Sequence, residues 1–85
     1  MQPVTGMAGL RERAGLRSDA RRLLRLERVV RNGVAPARDS AAERFALYAR
    51  FGLLHEDIPL LTRDPLRFSV RELAARGLDF NRKGR

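Results

Sequence analysis

Arginines at helical spacing are the side chains of this sequence with the clearest capacity for chemistry. Arg17, Arg21, Arg25 and Arg28 follow one another at intervals of three and four residues. On a helix that turns by about 100° per residue, these four lie within about 80° of one another. A guanidinium stays charged at physiological pH and forms paired hydrogen bonds with phosphate oxygens or with guanine O6 and N7. The pattern therefore indicates anion binding.

Side chains suited to catalysis are few. The three serines all stand where a helix is predicted to begin, so each is interpreted as an N-cap; they are Ser18, Ser40 and Ser69. The only histidine, His55, precedes Glu56 and Asp57, but adjacent helical residues point in different directions and do not converge on a metal. No phosphate-binding loop, dinucleotide fingerprint or zinc spacing is present in the sequence. We predict no enzyme, no cofactor and no metal site.

Net charge is the strongest feature of the composition. The sequence has eighteen basic and ten acidic residues, which gives a formal charge of +8, and Lys83 is the only lysine. Residues 1–39 hold nine basic and four acidic groups, and residues 40–85 hold nine and six. An excess of this size on a small domain attracts nucleic acid, an acidic protein or an anionic membrane. The larger excess of positive charge in the first half of the chain predicts phosphate contacts there.

Length and composition favour one small domain. The chain has 85 residues, 44% of them hydrophobic, and no cysteine. Such a domain buries only about 60% of its unfolded surface, so we expect a modest core. No apolar run approaches the roughly 18 residues of a membrane span, and residues 1–6 do not resemble a secretory signal. We therefore expect a cytoplasmic protein.

Glycine, proline and capping residues divide the first half of the chain. Residues 1–17 contain Pro3 and several glycines, which predicts a loose arm. A basic amphipathic helix is predicted over 18–32, opened by Ser18 and closed at Gly33. Its narrow apolar stripe comprises Leu23, Leu26 and Val30. We interpret this helix as two-sided, with one packed and one basic face.

Two capping boxes divide the second half. Ser40 with Glu43 opens a helix that ends at Gly52, and Ser69 with Glu72 opens one closed by Gly77. A short helix over 55–62, limited by Pro59, is predicted between them. The faces predicted to be inward comprise Ala41, Ala42, Phe45, Tyr48 and Ala49 in the first helix and Val70, Leu73 and Ala74 in the last. With no strand pattern, we predict a three-to-four-helix, all-α domain over 18–80, followed by a basic tail, 81–85.

The stretch from Arg50 to Leu78 resembles a helix-turn-helix module. Phe51-Gly52-Leu53-Leu54-His55-Glu56-Asp57-Ile58 is similar to the glycine-leucine turn and first helix, and Ser69-Val70-Arg71 to the start of a recognition helix. We assign 40–78 to this unit. The chain departs from the family in its connector, 63–68, which is longer than the usual three to four residues, and in Pro59.

The resemblance implies roles for particular residues. Ser69 and Arg71 would face base edges in the major groove. Arg67 and Arg76 would contact flanking phosphates, as would Arg63 in the turn. The core that sets the angle between helices would comprise Phe45, Tyr48, Ile58, Leu61, Val70 and Leu73. Many such modules bind DNA as dimers, and the apolar stripe of 18–32 is one candidate for homodimerisation.

Three hypotheses remain open from the sequence. The first is a small regulator or accessory factor that binds double-stranded DNA. The second is a structural or adaptor protein locked into a larger assembly, such as a phage particle or a ribonucleoprotein. The third is an inhibitor that docks into an acidic groove of a partner protein. Membrane binding is not expected, because the basic helix over 18–32 contains no aromatic residue.

Overall fold

The structure is a computed structural model that describes residues 3–53, 56–58, 63 and 67–83. Three helices have bounds within these ranges: α1 (Pro3–Arg31), α2 (Ala41–Arg50) and α3 (Val70–Lys83). A 3₁₀ turn, Ala37–Ser40, leads into α2. No strand occurs within these ranges, so the prediction of a small all-α domain is confirmed.

Helix α1 begins far earlier than the sequence predicted. It runs without interruption from Pro3 through Ser18, so the predicted loose arm over 1–17 is wrong from Pro3 onward, and the predicted N-cap at Ser18 is wrong as well. A helix-interior glycine such as Gly15 costs about 1 kcal/mol relative to alanine. Leu16 and Ala20, both fully buried, lie on either side of Ser18 and hold the helix together there. With a rise of about 1.5 Å per residue, α1 accounts for most of the 49 Å length of the molecule.

The predicted ends of the first two helices are confirmed, and both are Schellman motifs. Gly33 has a φ of +73°, and its N–H donates to Val30 O at 3.1 Å while Val34 N–H donates to Val29 O at 2.9 Å. Gly52, with a φ of +60°, ends α2 with the same pair of bonds. Both positions lie in the left-handed region, where glycine carries no steric penalty.

Only one of the two predicted capping boxes caps its helix. Ser69 Oγ accepts a hydrogen bond from Glu72 N–H at 2.9 Å, which is the first half of the motif. Ser40 makes no capping bond; its Oγ accepts from Arg44 Nε at 3.0 Å. Glu43 pairs instead with an arginine of α1. The 3₁₀ turn before α2 replaces the predicted box as the start of that helix.

Helix α3 continues past Gly77, so the predicted closure there is wrong. Gly77 is buried against α1, where an added Cβ would lie 2.7 Å from Leu16 Cδ2 and 3.0 Å from Phe51 Cδ1. Because Gly77 has no side chain, it permits close contact between the helices. It does not end α3. The helix extends to Lys83, and the first three residues of the predicted tail, 81–85, are therefore helical.

The core lies where all three helices meet. Its buried members are Leu16, Ala20, Leu23, Leu47, Tyr48, Phe51, Leu73 and Ala74. The predicted inner face of α2 is wrong in large part, because Phe45 is 62% exposed. The buried side of α2 contains Arg44, Leu47 and Tyr48. The apolar stripe proposed for homodimerisation includes Leu23, which is fully buried within this chain.

The segment between α2 and α3 bears on the helix-turn-helix resemblance. Asp57 and Ile58 are helical, as is Arg63. Most of the predicted helix over 55–62 and half of the connector over 63–68 lie outside the described residues, including His55, Pro59 and Leu61. Of the remaining residues assigned to its core, Ile58 and Val70 are half-buried.

Candidate nucleic-acid interface

The outer side of α1 carries a row of exposed arginines. Its members, called here the α1 arginine face, are Arg13, Arg17, Arg21, Arg25 and Arg28. The first four succeed one another every four residues, about 6 Å apart along the helix axis, and the row covers about 22 Å. None of the five forms a hydrogen bond or ion pair with another described residue. Their charges are therefore available to a partner.

Acidic residues of α1 all lie off this face. By helical angle, Glu12, Asp19 and Glu27 are each about 100° or more from Arg28. Asp19 forms an ion pair with Arg50 of α2, and Glu27 is only 1% exposed. The carboxylates nearest to the face, Asp19 and Glu43, line a hollow with Arg21 and Arg25 but pair with Arg50 and Arg22. The solvent side of α1 therefore presents an excess of positive charge.

Packing on the opposite side fixes the orientation of the face. Leu16, Ala20, Leu23 and Glu27 follow the spacing of a helix that buries one side, and all four are buried. Rotating α1 about its axis would expose three apolar residues. The arginines are held outward by the helical period and by the core.

A surface cavity joins the α1 arginine face to α3. It has a volume of about 280 Å³ and lies between the two helices. Arg13, Arg17 and Arg71 line it together with Ala74, Ala75 and Leu78. Two groups that the sequence suggested separately, the α1 stripe and the start of the last helix, therefore meet in one basic surface. Arg13 was missed because it fell within the predicted loose arm, although it extends the four-residue spacing by one step.

The remaining residues predicted near α3 are exposed but do not form one cluster. Arg63 and Arg67 are exposed. Ser69 is exposed as well, and its Oγ is engaged in capping α3. Glu72 and Asp79 are also exposed on this helix, so α3 has a mixed surface, in contrast to the uniformly basic side of α1.

Arg76 has a structural contact that the sequence did not predict. It is half-buried, and its Nη2 lies 2.5 Å from Asp57 Oδ2 and 3.3 Å from Gly52 O. Its Nε is buried without a hydrogen-bond partner among the described residues. Arg76 therefore links α3 to Gly52 and Asp57, and its guanidinium is less available to a partner than those of the α1 arginine face.

A second polar feature lies inside the domain. Glu27 accepts hydrogen bonds from Tyr48 Oη and from Arg44 Nη1, the latter at 3.2 Å, while Arg44 Nη2 donates to Ala37 O at 2.7 Å. We call Glu27, Arg44 and Tyr48 the buried triad; each is at most 7% exposed. The hydrogen bonds of the buried triad link α1 to α2 and to the turn before α2.

Protonation in the buried triad reflects both burial and mutual contact. Burial is the largest cause that raises the pKa of Tyr48 to about 12, with further contributions from its hydrogen bond to Glu27 and the charge there. Burial alone would lower the pKa of Arg44, but its hydrogen bonds to Glu27 and Tyr48 and its electrostatic interactions with both residues together outweigh burial and raise that pKa. Arg44 therefore stays charged, and Tyr48 stays neutral at ordinary pH.

Comparisons with protein-family models, with curated proteins and with solved structures find no match to this chain. The resemblance to helix-turn-helix proteins is neither supported nor contradicted by them.

Two further properties concern the residues that the structure describes. None of their helices combines the length and apolarity needed to cross a membrane. No three of their potential metal-ligating side chains come together.

Proposed function

We propose that this protein binds double-stranded DNA, chiefly through phosphate contacts made by the α1 arginine face. The observation that carries the proposal is a row of five exposed, unpaired arginines along about 22 Å of one rigid helix. DNA presents one phosphate charge per 3.4 Å of each strand, so a strand alongside α1 offers a partner to each arginine. Release of condensed counterions then favours binding.

Rigidity favours this surface over a flexible basic tail. The α1 arginine face is backed by Leu16, Ala20 and Leu23, all fully buried. Its backbone needs no ordering when a partner binds, so the entropic cost falls on the side chains alone. A guanidinium can also donate two hydrogen bonds to one phosphate, which a lysine ammonium does with less geometric specificity.

Base contact by the start of α3 forms the finer part of the proposal. Arg71 is exposed beside Arg13 and Arg17, so a strand following α1 would bring base edges or phosphates close to it. Ser69 stands two residues earlier, and Arg67 and Arg63 supply further positive charge nearby in the chain. In this arrangement phosphate contacts supply affinity, while Ser69 and Arg71 supply any sequence preference.

Salt dependence tests the phosphate contacts. Fluorescence anisotropy of a labelled duplex should show binding at 50 mM salt, with log affinity falling linearly against log salt concentration. Five phosphate contacts predict a slope of about −4 to −5. Absence of binding at 50 mM salt, or a slope near zero, would contradict the proposal and favour an acidic protein as the partner.

Selection from a random duplex library tests base contact separately. Wild-type protein should enrich particular sequences, and Arg71→Ala should lose that preference while keeping weak, salt-sensitive binding. Arg28→Ala, which changes a residue of α1 outside the cavity, is the matched control and should weaken all duplexes alike. Enrichment that is unchanged in Arg71→Ala would remove base contact from the proposal.

A further inference from the structure

The cavity between α1 and α3 differs from the rest of the basic surface in how its charges are arranged. Along α1 the arginines succeed one another in a row, whereas Arg13, Arg17 and Arg71 line a single hollow. None of these three has an ion pair or hydrogen bond to another described residue. Three unpaired positive charges around one volume favour a ligand with more than one negative charge.

Apolar surface completes the cavity. Ala74, Ala75 and Leu78 form the apolar part of its α3 side, and none of the described residues that line it is acidic. A larger hollow near the middle of α1, about 470 Å³, also has arginines, but Asp19 and Glu43 line it. Both of those carboxylates are already paired with arginines of the seam between α1 and α2. The cavity beside α3 is therefore the better anion site.

Size and charge together define the ligand. A volume of about 280 Å³ lies at the lower end of small-molecule sites, which suits one nucleotide-sized group and not an extended strand. An internal phosphodiester carries one negative charge, while a phosphomonoester carries about −1.5 to −2 at pH 7. A terminal phosphate therefore matches three guanidiniums better than an internal one does, and its sugar can rest on Ala75 and Leu78.

We propose that the cavity lined by Arg13, Arg17 and Arg71 binds the terminal phosphomonoester of a nucleic acid strand. The inference rests on the proposed function and deepens it, since it distinguishes strand ends from the interior of a duplex. Arg21, Arg25 and Arg28 of the α1 arginine face hold the duplex, while Arg13 and Arg17, at the start of that face, join Arg71 in binding the phosphate at the strand end. Arg71 is the arginine that α3 contributes, so the site exists only where the two helices are packed together.

Paired duplexes that differ only in a 5′-terminal phosphate test this inference. Wild-type protein should bind the 5′-phosphorylated duplex about tenfold more tightly than the 5′-hydroxyl duplex, as charge-assisted hydrogen bonds to the extra charge predict. The preference should weaken from pH 7 to pH 5, because the second ionisation of the phosphate lies near pH 6. Equal affinity for the two duplexes at pH 7 would overturn the inference and leave duplex binding itself intact.

Substitutions in the cavity test whether the preference for a 5′-phosphate arises there. Arg71→Ala should abolish the preference, and so should Ala75→Glu, which places a carboxylate on the cavity lining. Both residues are exposed, so folding should be retained, as circular dichroism can verify. Two controls should keep the preference: Ala46→Glu, the same charge change at an exposed position of α2, and Arg28→Ala. A preference that survives in both cavity variants would overturn the inference, whereas no binding to either duplex would refute the proposed function itself.

Discussion

The two sides of α1 use charged residues in opposite ways. On the side facing α2, three ion pairs join the helices, and they are Arg22–Glu43, Arg44–Glu27 and Arg50–Asp19. On the outer side, the five arginines of the α1 arginine face have no acidic partner among the described residues. Arginine therefore has a structural role on one side and an available charge on the other. Residue type alone does not separate the two roles; the position of each acidic residue does.

Loss of the buried carboxylate should have the largest effect on stability. Glu27→Ala leaves the buried guanidinium of Arg44 without its counter-charge, which typically costs about 3–5 kcal/mol of unfolding free energy. Glu43→Ala is the matched control, because its pair with Arg22 is exposed and should contribute at most about 1 kcal/mol. Urea denaturation measures both variants. Similar losses in the two would show that the buried and exposed pairs do not differ.

The burial of Tyr48 should make the stability of the protein depend on pH in the alkaline range. Its pKa is raised from 10 to about 12 in the folded protein, so its contribution to stability is complete below pH 10 and is lost as the pH rises towards 12. Tyr48 is the only tyrosine and there is no tryptophan, so tyrosinate absorbance reports it directly. Ionisation should occur near pH 10 in denaturant and later in the folded state. A midpoint near 10 while the helical signal persists would contradict the buried hydrogen bond to Glu27.

Close contact between α1 and α3 predicts a smaller loss at Gly77. A Cβ at this position would lie 2.7 Å from Leu16, a fully buried side chain, so overpacking in Gly77→Ala should cost about 1–3 kcal/mol and outweigh the gain of up to about 1 kcal/mol in helix propensity. Gly15→Ala is the matched control, since its Cβ would lie 3.5 Å from Arg50 Nη2 and should gain up to about 1 kcal/mol in helix propensity. Thermal melts of the two variants should shift in opposite directions. A stabilised Gly77→Ala would show that the helices are less tightly packed.

Neutralising the outer face should have the smallest effect on folding, and the opposite sign. Arg21 lies four residues from both Arg17 and Arg25, and like charges at this spacing destabilise a helix by about 0.2–0.5 kcal/mol per pair. Arg21→Gln should therefore raise the melting temperature slightly at low salt and have no effect at high salt. A clear loss of stability in Arg21→Gln would assign a structural contact to this arginine and weaken the comparison between the two sides.

Sequence patterns predicted the helical class and the ends of α1 and α2, because these depend on local signals. Gly33 and Gly52 stop their helices through their own backbone conformation. The start of α1 and the end of α3 were missed, because burial of Leu16 and Gly77 outweighs the low helix propensity of glycine. Such long-range packing is not encoded in the neighbouring residues.

The inner face of α2 shows a second limit of prediction from the sequence. Phe45 was placed in the core and Arg44 was not, which follows the usual preferences of these residues. In the structure Arg44 is buried and Phe45 is exposed, because Glu27, seventeen positions away, supplies a buried partner for Arg44. In the candidate interface, the exposed row from Arg17 to Arg28 followed directly from helical spacing. The cavity could not be predicted from helical spacing, because it depends on how α3 packs against α1.

A charge-matched comparison of two double variants tests the central claim most directly. Arg21→Gln with Arg25→Gln removes two charges from the α1 arginine face, and Arg38→Gln with Arg82→Gln removes two exposed charges elsewhere. The net charge is the same in both. For a labelled duplex at 0.1 M salt, the first variant should lose about 5- to 10-fold in affinity per arginine and about 2 units of salt slope, while the second should stay close to wild type. Equal losses in the two variants would show that net charge, and not the outer face of α1, governs binding.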